Sequence, residues 1–391
     1  MFSNGPGTRF KLYPQAPYVK DHKEPEVVIL SAPAGTIAPG PSDDMMYTID
    51  PAVAKEPYEF PYLPPFRGPV NPPAEPDADG HFDYLPLQSR QFHAAHMFGC
   101  LSVVRDIWQS YYGRPLCWQW RDDFSRLELI PLLDWTNAQS GYGYIETGHI
   151  FTRQGERRPH CLNFDVLAHE MGHMILFAEL GVPPEEARTA HYYGFHEACS
   201  DLIALISVLH FESVLDHLLA VCQGNLYAAN ELNRIGELSD TDQLRSASNA
   251  KKFSGTDGPA NNPHDSGAPF TGALFDVFVQ IFHEALITRG LLPDALVECC
   301  YERPMYSIDN TAMQTVFALH YREQADEFKI ALRFARDYTG QLLSQTWADL
   351  NPHDMHFNDA AEAVCGAELV LSEGQFQEVV QTCLQWRQLL R

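Results

Sequence analysis

The rhythm of apolar and polar positions changes near residue 90 of the chain. Before it, Pro, Gly and Asp interrupt every run, as in PYEFPYLPPFRGPVNPPAEPDADG, and only EVVIL reads as a strand. Residues 1–90 are therefore expected to be an irregular N-terminal extension that wraps the rest, with a segment lying in a cleft of the protein as the alternative. From QFHAAHMFGCLSVVRDIWQSYYG the spacing turns helical. RLELIPLL and GYGYIETGHIFT then read as strands, and DVLAHEMGHMIL opens a helix in which Leu167, Met171, Met174 or Ile175, and Ala178 form one apolar stripe. Beyond Gly194 nearly every apolar run is helical, including GALFDVFVQIFHEALI, DEFKIALRFARDYTG and GQFQEVVQTCLQWRQLL. The predicted class is α+β, with the extension at 1–90, a mixed α/β lobe at 91–180 and a mainly helical lobe at 181–391. No internal repeat is visible.

The helix DVLAHEMGHMIL carries two histidines and a glutamate that its apolar stripe does not explain. His169 and His173 are one turn apart, so both imidazoles leave the same side of the helix and can meet one metal ion. Glu170 lies beside them and points past that ion, where a carboxylate can take a proton from water. This is the H-E-x-x-H pattern. A catalytic zinc needs a third protein ligand, and the second apolar helix, GFHEACSDLIALI, offers Glu197. Asp201, one turn on, can accept a hydrogen bond from the second ring nitrogen of a ligand histidine and so fix its tautomer. Leu202, Ile203, Leu205 and Ile206 make this helix too apolar for a solvated surface.

With His169, Glu170, His173 and Glu197 in HEACSD, the sequence resembles the thermolysin family and its fungalysin-like relatives, the glutamate-zincin peptidases. Two histidines and a glutamate are thermolysin's own zinc ligands. Three further stretches match in the family's order between about residues 91 and 290. DWTNAQSGYGYIETG resembles the edge strand, where Asn137 and Ala138 would hydrogen-bond an extended substrate backbone. RIGELSDTDQLRSAS resembles the segment ending in a substrate-binding arginine, here Arg245, which would grip a substrate carbonyl. NNPHDSGAPFTGALFDV puts the transition-state histidine at His264. The resemblance implies an endopeptidase with one catalytic Zn2+ in a cleft between the two lobes.

The chain also departs from the family. Four extra residues separate His173 from Glu197, so the tyrosine that assists the oxyanion has two candidates, Tyr192 and Tyr193. The motif after His264 is one residue short, leaving Asp257 and Asp265 as alternatives for the aspartate that orients it. A double calcium site is not expected, because an apolar run through Val208 occupies the position of a calcium-binding glutamate and Asp165 is an isolated acidic remnant.

Composition narrows the partners. With 45% hydrophobic residues the chain is globular, and 27 Lys and Arg against 51 Asp and Glu give a net charge of −24, which argues against nucleic acid or an anionic membrane. The expected partner is a peptide or protein substrate. The start of the chain lacks the pattern of a secretory signal, and the nine cysteines include the adjacent Cys299 and Cys300, which suits reduced thiols; the expected location is the cytoplasm, with secretion after processing as the alternative. Cys199 is expected to be packing, and His93 and His96 are expected to be core or surface residues and not ligands. Two other readings stand beside the endopeptidase. A zinc aminopeptidase would anchor a free amine on Glu146 near Gly141 and Gly143. A silent zinc-stabilised binding protein would have no use for Glu170.

Overall fold

The computed structural model describes residues 6–19, 22–152, 154–227, 230, 232, 234–237, 243–253, 262–293 and 310–390. The chain divides into two compact units, one of Met1–Glu179 with Gly236–Asp242 and one of Leu180–Ile235 with Gln243–Arg391.

The first unit contains more regular structure before residue 90 than its composition suggests. β1 (Thr8–Leu12) pairs antiparallel with β2 (Glu26–Leu30), and β3 (Met46–Thr48) joins the main sheet. Only β2 was expected from the sequence. Phe10 and Leu12 alternate inward from β1 and are fully buried, Phe10 stacking on Phe82 and Phe98. Both pack against α1 (Arg90–Tyr112), a helix started by the Ser89 side chain, which accepts the Phe92 N–H, and stopped by Gly113 in the left-handed conformation. Part of the extension is thus core.

The main sheet has four strands in the order β3, β4 (Leu127–Ile130), β6 (Tyr144–Thr147), β5 (Ala138–Gly141). β3, β4 and β6 run parallel, and β5 returns antiparallel to β6 with Gln139 opposite Glu146 and Ser140 opposite Ile145. β5 therefore lies at one edge. β7 (His149–Phe151) and β8 (Arg157–Pro159) form a hairpin, after which α2 (Phe164–Leu180) buries Leu167, Met171, Met174 and Ile175 of the stripe its sequence predicts, while Ala178 at its end is only partly buried.

The second unit is mainly helical, as expected. It is built from α3 (Ala190–Val208), α4 (Glu212–Cys222), α5 (Pro263–Thr288), α6 (Asn310–Asp349, with non-helical backbone at Gln324), α7 (Phe357–Ser372) and α8 (Gln377–Trp386). Two short strands, β9 (Arg234–Glu237) and β10 (Gln243–Ser246), lie between α4 and α5. α5 is long and apolar enough to cross a membrane, but 83% of its most apolar window is buried inside the protein, as in a core helix. α3 and α5 cross with their backbones nearly touching. A Cβ on Gly267 would stand 2.3 Å from the Gly194 carbonyl oxygen, and one on Gly194 would stand 2.4 Å from Ser266 Oγ. Only glycine permits that approach.

The fold is thus mixed α and β with a helical C-terminal region, as the pattern of the sequence implies.

Candidate metal centre

The candidate residues are divided by the fold. Asn137, Ala138, His169, Glu170 and His173 belong to the first unit, and Tyr192, Tyr193, Glu197, Asp201, Arg245 and His264 to the second.

In the first unit, α2 presents His169 and His173 one turn apart with ring centroids 4.8 Å from each other. His173 also stacks on Phe177, which meets Trp120 edge-on. His169 and Glu170 are buried, and the Glu170 carboxylate accepts a hydrogen bond of 3.0 Å from the Ser140 hydroxyl of β5. Ala138 opens β5, while the carbonyl of Asn137 accepts the Gly148 N–H just before that strand. Asp165 accepts the N–H of Gly236.

Behind β5 lies a buried polar network that the sequence gives no direct sign of. Glu146 on β6 accepts from Lys55 Nζ at 2.7 Å, from the Tyr58 N–H at 2.5 Å and from Gln139 Nε2 at 2.7 Å. Lys55 and Glu146 have no exposed side-chain surface, and the ammonium sits 3.4 Å above the Tyr58 ring. Burial lowers the pKa of Lys55 against the opposing pull of Glu146. Glu128 on β4 accepts from the hydroxyls of Tyr47 and Tyr58 and from the Phe66 N–H. Desolvation first, and then that carboxylate, push the Tyr58 phenol far above its ordinary range. Glu146 is therefore engaged by a lysine of the same chain. An aminopeptidase reading would need that carboxylate to face a substrate amine.

In the second unit, Thr189 caps α3 by accepting the Tyr192 N–H, which fixes the first turn. Tyr192 is buried against His196, whereas Tyr193 is exposed. α5 begins at Asn262, whose side chain accepts the His264 N–H, with Pro263 as the first helical residue. His264 follows it directly, and its Nδ1 lies 2.8 Å from the Glu197 carboxylate. The glycine crossing explains this closeness, because Gly194 and Gly267 each stand three residues from the side chains that meet. Asp265 pairs instead with Lys251 at the surface, and Asp257 lies outside the described residues.

Arg245 and Asp201 form one unit of charge. The guanidinium donates from Nε and Nη2 to the Asp201 carboxylate at 2.8 and 2.6 Å, a two-pronged pair that fixes the plane of the arginine. The Cys199 thiol is fully buried, and that burial pushes its pKa well up, as befits a packing residue. His96 is likewise core. Its Nε2 accepts the Tyr13 N–H, its Nδ1 meets the Cys161 carbonyl, and desolvation lowers its pKa to about 3.

No protein-family model matches the chain, and no curated protein matches it in sequence. Among solved structures, the precursor of protealysin, a metalloproteinase from Serratia proteamaculans, is similar over 89% of this chain and 88% of that one. The TM-score is 0.50 and the sequence identity 13%, a likeness of fold.

Proposed function

We propose that the chain is a zinc-dependent endopeptidase acting on peptide or protein substrates. One observation carries the reading most directly. The buried helix α2 brings two imidazoles together beside a glutamate whose carboxylate is held by the neighbouring strand. Two imidazoles and a carboxylate are a donor set that suits zinc. His169, His173 and Glu197 would hold one Zn2+. When bound, the ion supplies Lewis acidity, which brings the pKa of water toward neutrality and polarises a carbonyl.

The remaining chemistry belongs to the chain. Glu170 takes the proton of the attacking water and returns it to the departing amine. His264, with Tyr192 or Tyr193, donates to the oxyanion that develops on the substrate carbonyl. Arg245, held in plane by Asp201, grips the carbonyl on the leaving-group side. Asn137 and Ala138 bind the extended substrate backbone along the edge of β5. The engagement of Glu146 by Lys55 favours internal cleavage over an aminopeptidase. An intact base beside the two histidines favours catalysis over a silent zinc-stabilised protein.

Metal content tests the ligand assignment. Purified wild type and Glu170→Gln should each carry one zinc per chain, and His173→Ala should carry none. Full zinc occupancy in the His173 variant would remove the assignment.

A further inference from the structure

We propose that Ser140 is a positioning residue for Glu170. The proposal rests on the peptidase reading above for its catalytic consequence, though not for its geometry. β5 is four residues long and its side chains alternate between the two faces of the sheet. Gln139 is fixed on one face, because its amide nitrogen donates to Glu146 at 2.7 Å and to the Tyr58 carbonyl at 2.9 Å. Ser140, the next residue, must then present its side chain to the other face, where its hydroxyl donates to Glu170 Oε2 at 3.0 Å. The register with β6 holds both in place.

A charge-assisted hydrogen bond from a rigid strand restricts the rotation of the glutamate side chain. The hydroxyl does not touch substrate; it acts by orienting the group that does. The Lys55, Glu146 and Gln139 chain of contacts has the same effect one step further back, since it decides which face Ser140 occupies.

Two readouts on the full chain separate this role from general structure. For cleavage of a blocked peptide, Ser140→Ala should lower kcat about tenfold, the size expected for one charge-assisted hydrogen bond, with KM and zinc content unchanged. Ser140→Thr, which keeps the hydroxyl, should restore most of the loss. In thermal unfolding, Ser140→Ala should lower the midpoint in wild type and leave it unmoved in a Glu170→Ala background, because the partner is already gone. Wild-type kcat in Ser140→Ala would overturn the proposal, and so would midpoint shifts that add. If the wild type cuts nothing, or Glu170→Gln cuts as well as wild type, the peptidase reading fails, and the unfolding cycle still decides whether Ser140 holds Glu170.

Discussion

Removing the Lys55 ammonium while leaving Glu146 in place should be among the most damaging single changes in the first unit. Both side chains are fully buried and 2.7 Å apart. Lys55→Met keeps the length and apolar stem of the side chain but leaves a carboxylate without its counter-charge in a site that water does not reach. Breaking one side of such a pair costs about 3–5 kcal/mol, much of it the penalty of the stranded charge. Glu146 keeps two donors, the Tyr58 N–H and the Gln139 amide, so the lower end of that range is expected. For a unit of this size, about 2–4 °C of melting temperature per kcal/mol gives a drop of about 6–12 °C. The double variant Lys55→Met, Glu146→Gln removes the stranded charge and should recover at least about 1 kcal/mol of the loss. Urea unfolding followed by tryptophan fluorescence suits the test, because Trp108, Trp118, Trp120 and Trp135 report on the first unit. A single variant within about 1 kcal/mol of wild type, or a double variant whose loss equals the sum of the two singles, would refute the reasoning.

Other consequences follow from the helical unit. Gly267→Ala places a methyl group against the Gly194 carbonyl oxygen, so α3 and α5 must separate; a loss of about 1–3 kcal/mol in unfolding stability is expected, with lower catalytic activity from the displaced Glu197 and His264. A Gly267→Ala protein as stable and active as wild type would mean that the close crossing is not needed. His283 is buried among Tyr227, Phe282 and Phe317, and desolvation lowers its pKa to about 4. Its folded value lies below its unfolded value of 6.5, so its contribution is fully present above pH 6.5 and is lost as pH falls toward 4, by about 3 kcal/mol in all. His283→Phe should flatten the fall in stability over that window, and an unchanged pH slope would contradict the assignment.

The parts of the structure that the sequence shows clearly are those set by local spacing. His169, Glu170 and His173 lie within one helical turn and a half, and the apolar stripe of α2 fixes their common side without any distant partner. Glu197 was read in the same way, from its place on an apolar helix, whereas His264 was singled out only by the resemblance of its segment; Asn262 and Pro263 mark the start of its helix, α5. What escapes a reading of the sequence depends on residues far apart in the chain. β1 and β3 are short, and β3 becomes a strand because it pairs with β4, about eighty residues later. The Lys55 contact with Glu146 spans 91 positions. Ser140 was visible within NAQSGYGYIETG, and strict alternation from Gln139 would have put it on the opposite face, but its partner Glu170 lies 30 residues on. Arg245 and Asp201, read separately as a substrate grip and a support for a ligand histidine, prove to be one ion pair, which local spacing has no means of revealing.

The central claim is internal peptide cleavage that depends on Glu170, and it is tested most directly by incubating zinc-loaded wild type and Glu170→Gln with a library of internally quenched peptides blocked at both ends. The account predicts internal cleavage by the wild type and a loss of at least about a hundredfold in the variant at equal zinc content. Equal cleavage by the two proteins, or none by a wild type that holds one zinc, would contradict it.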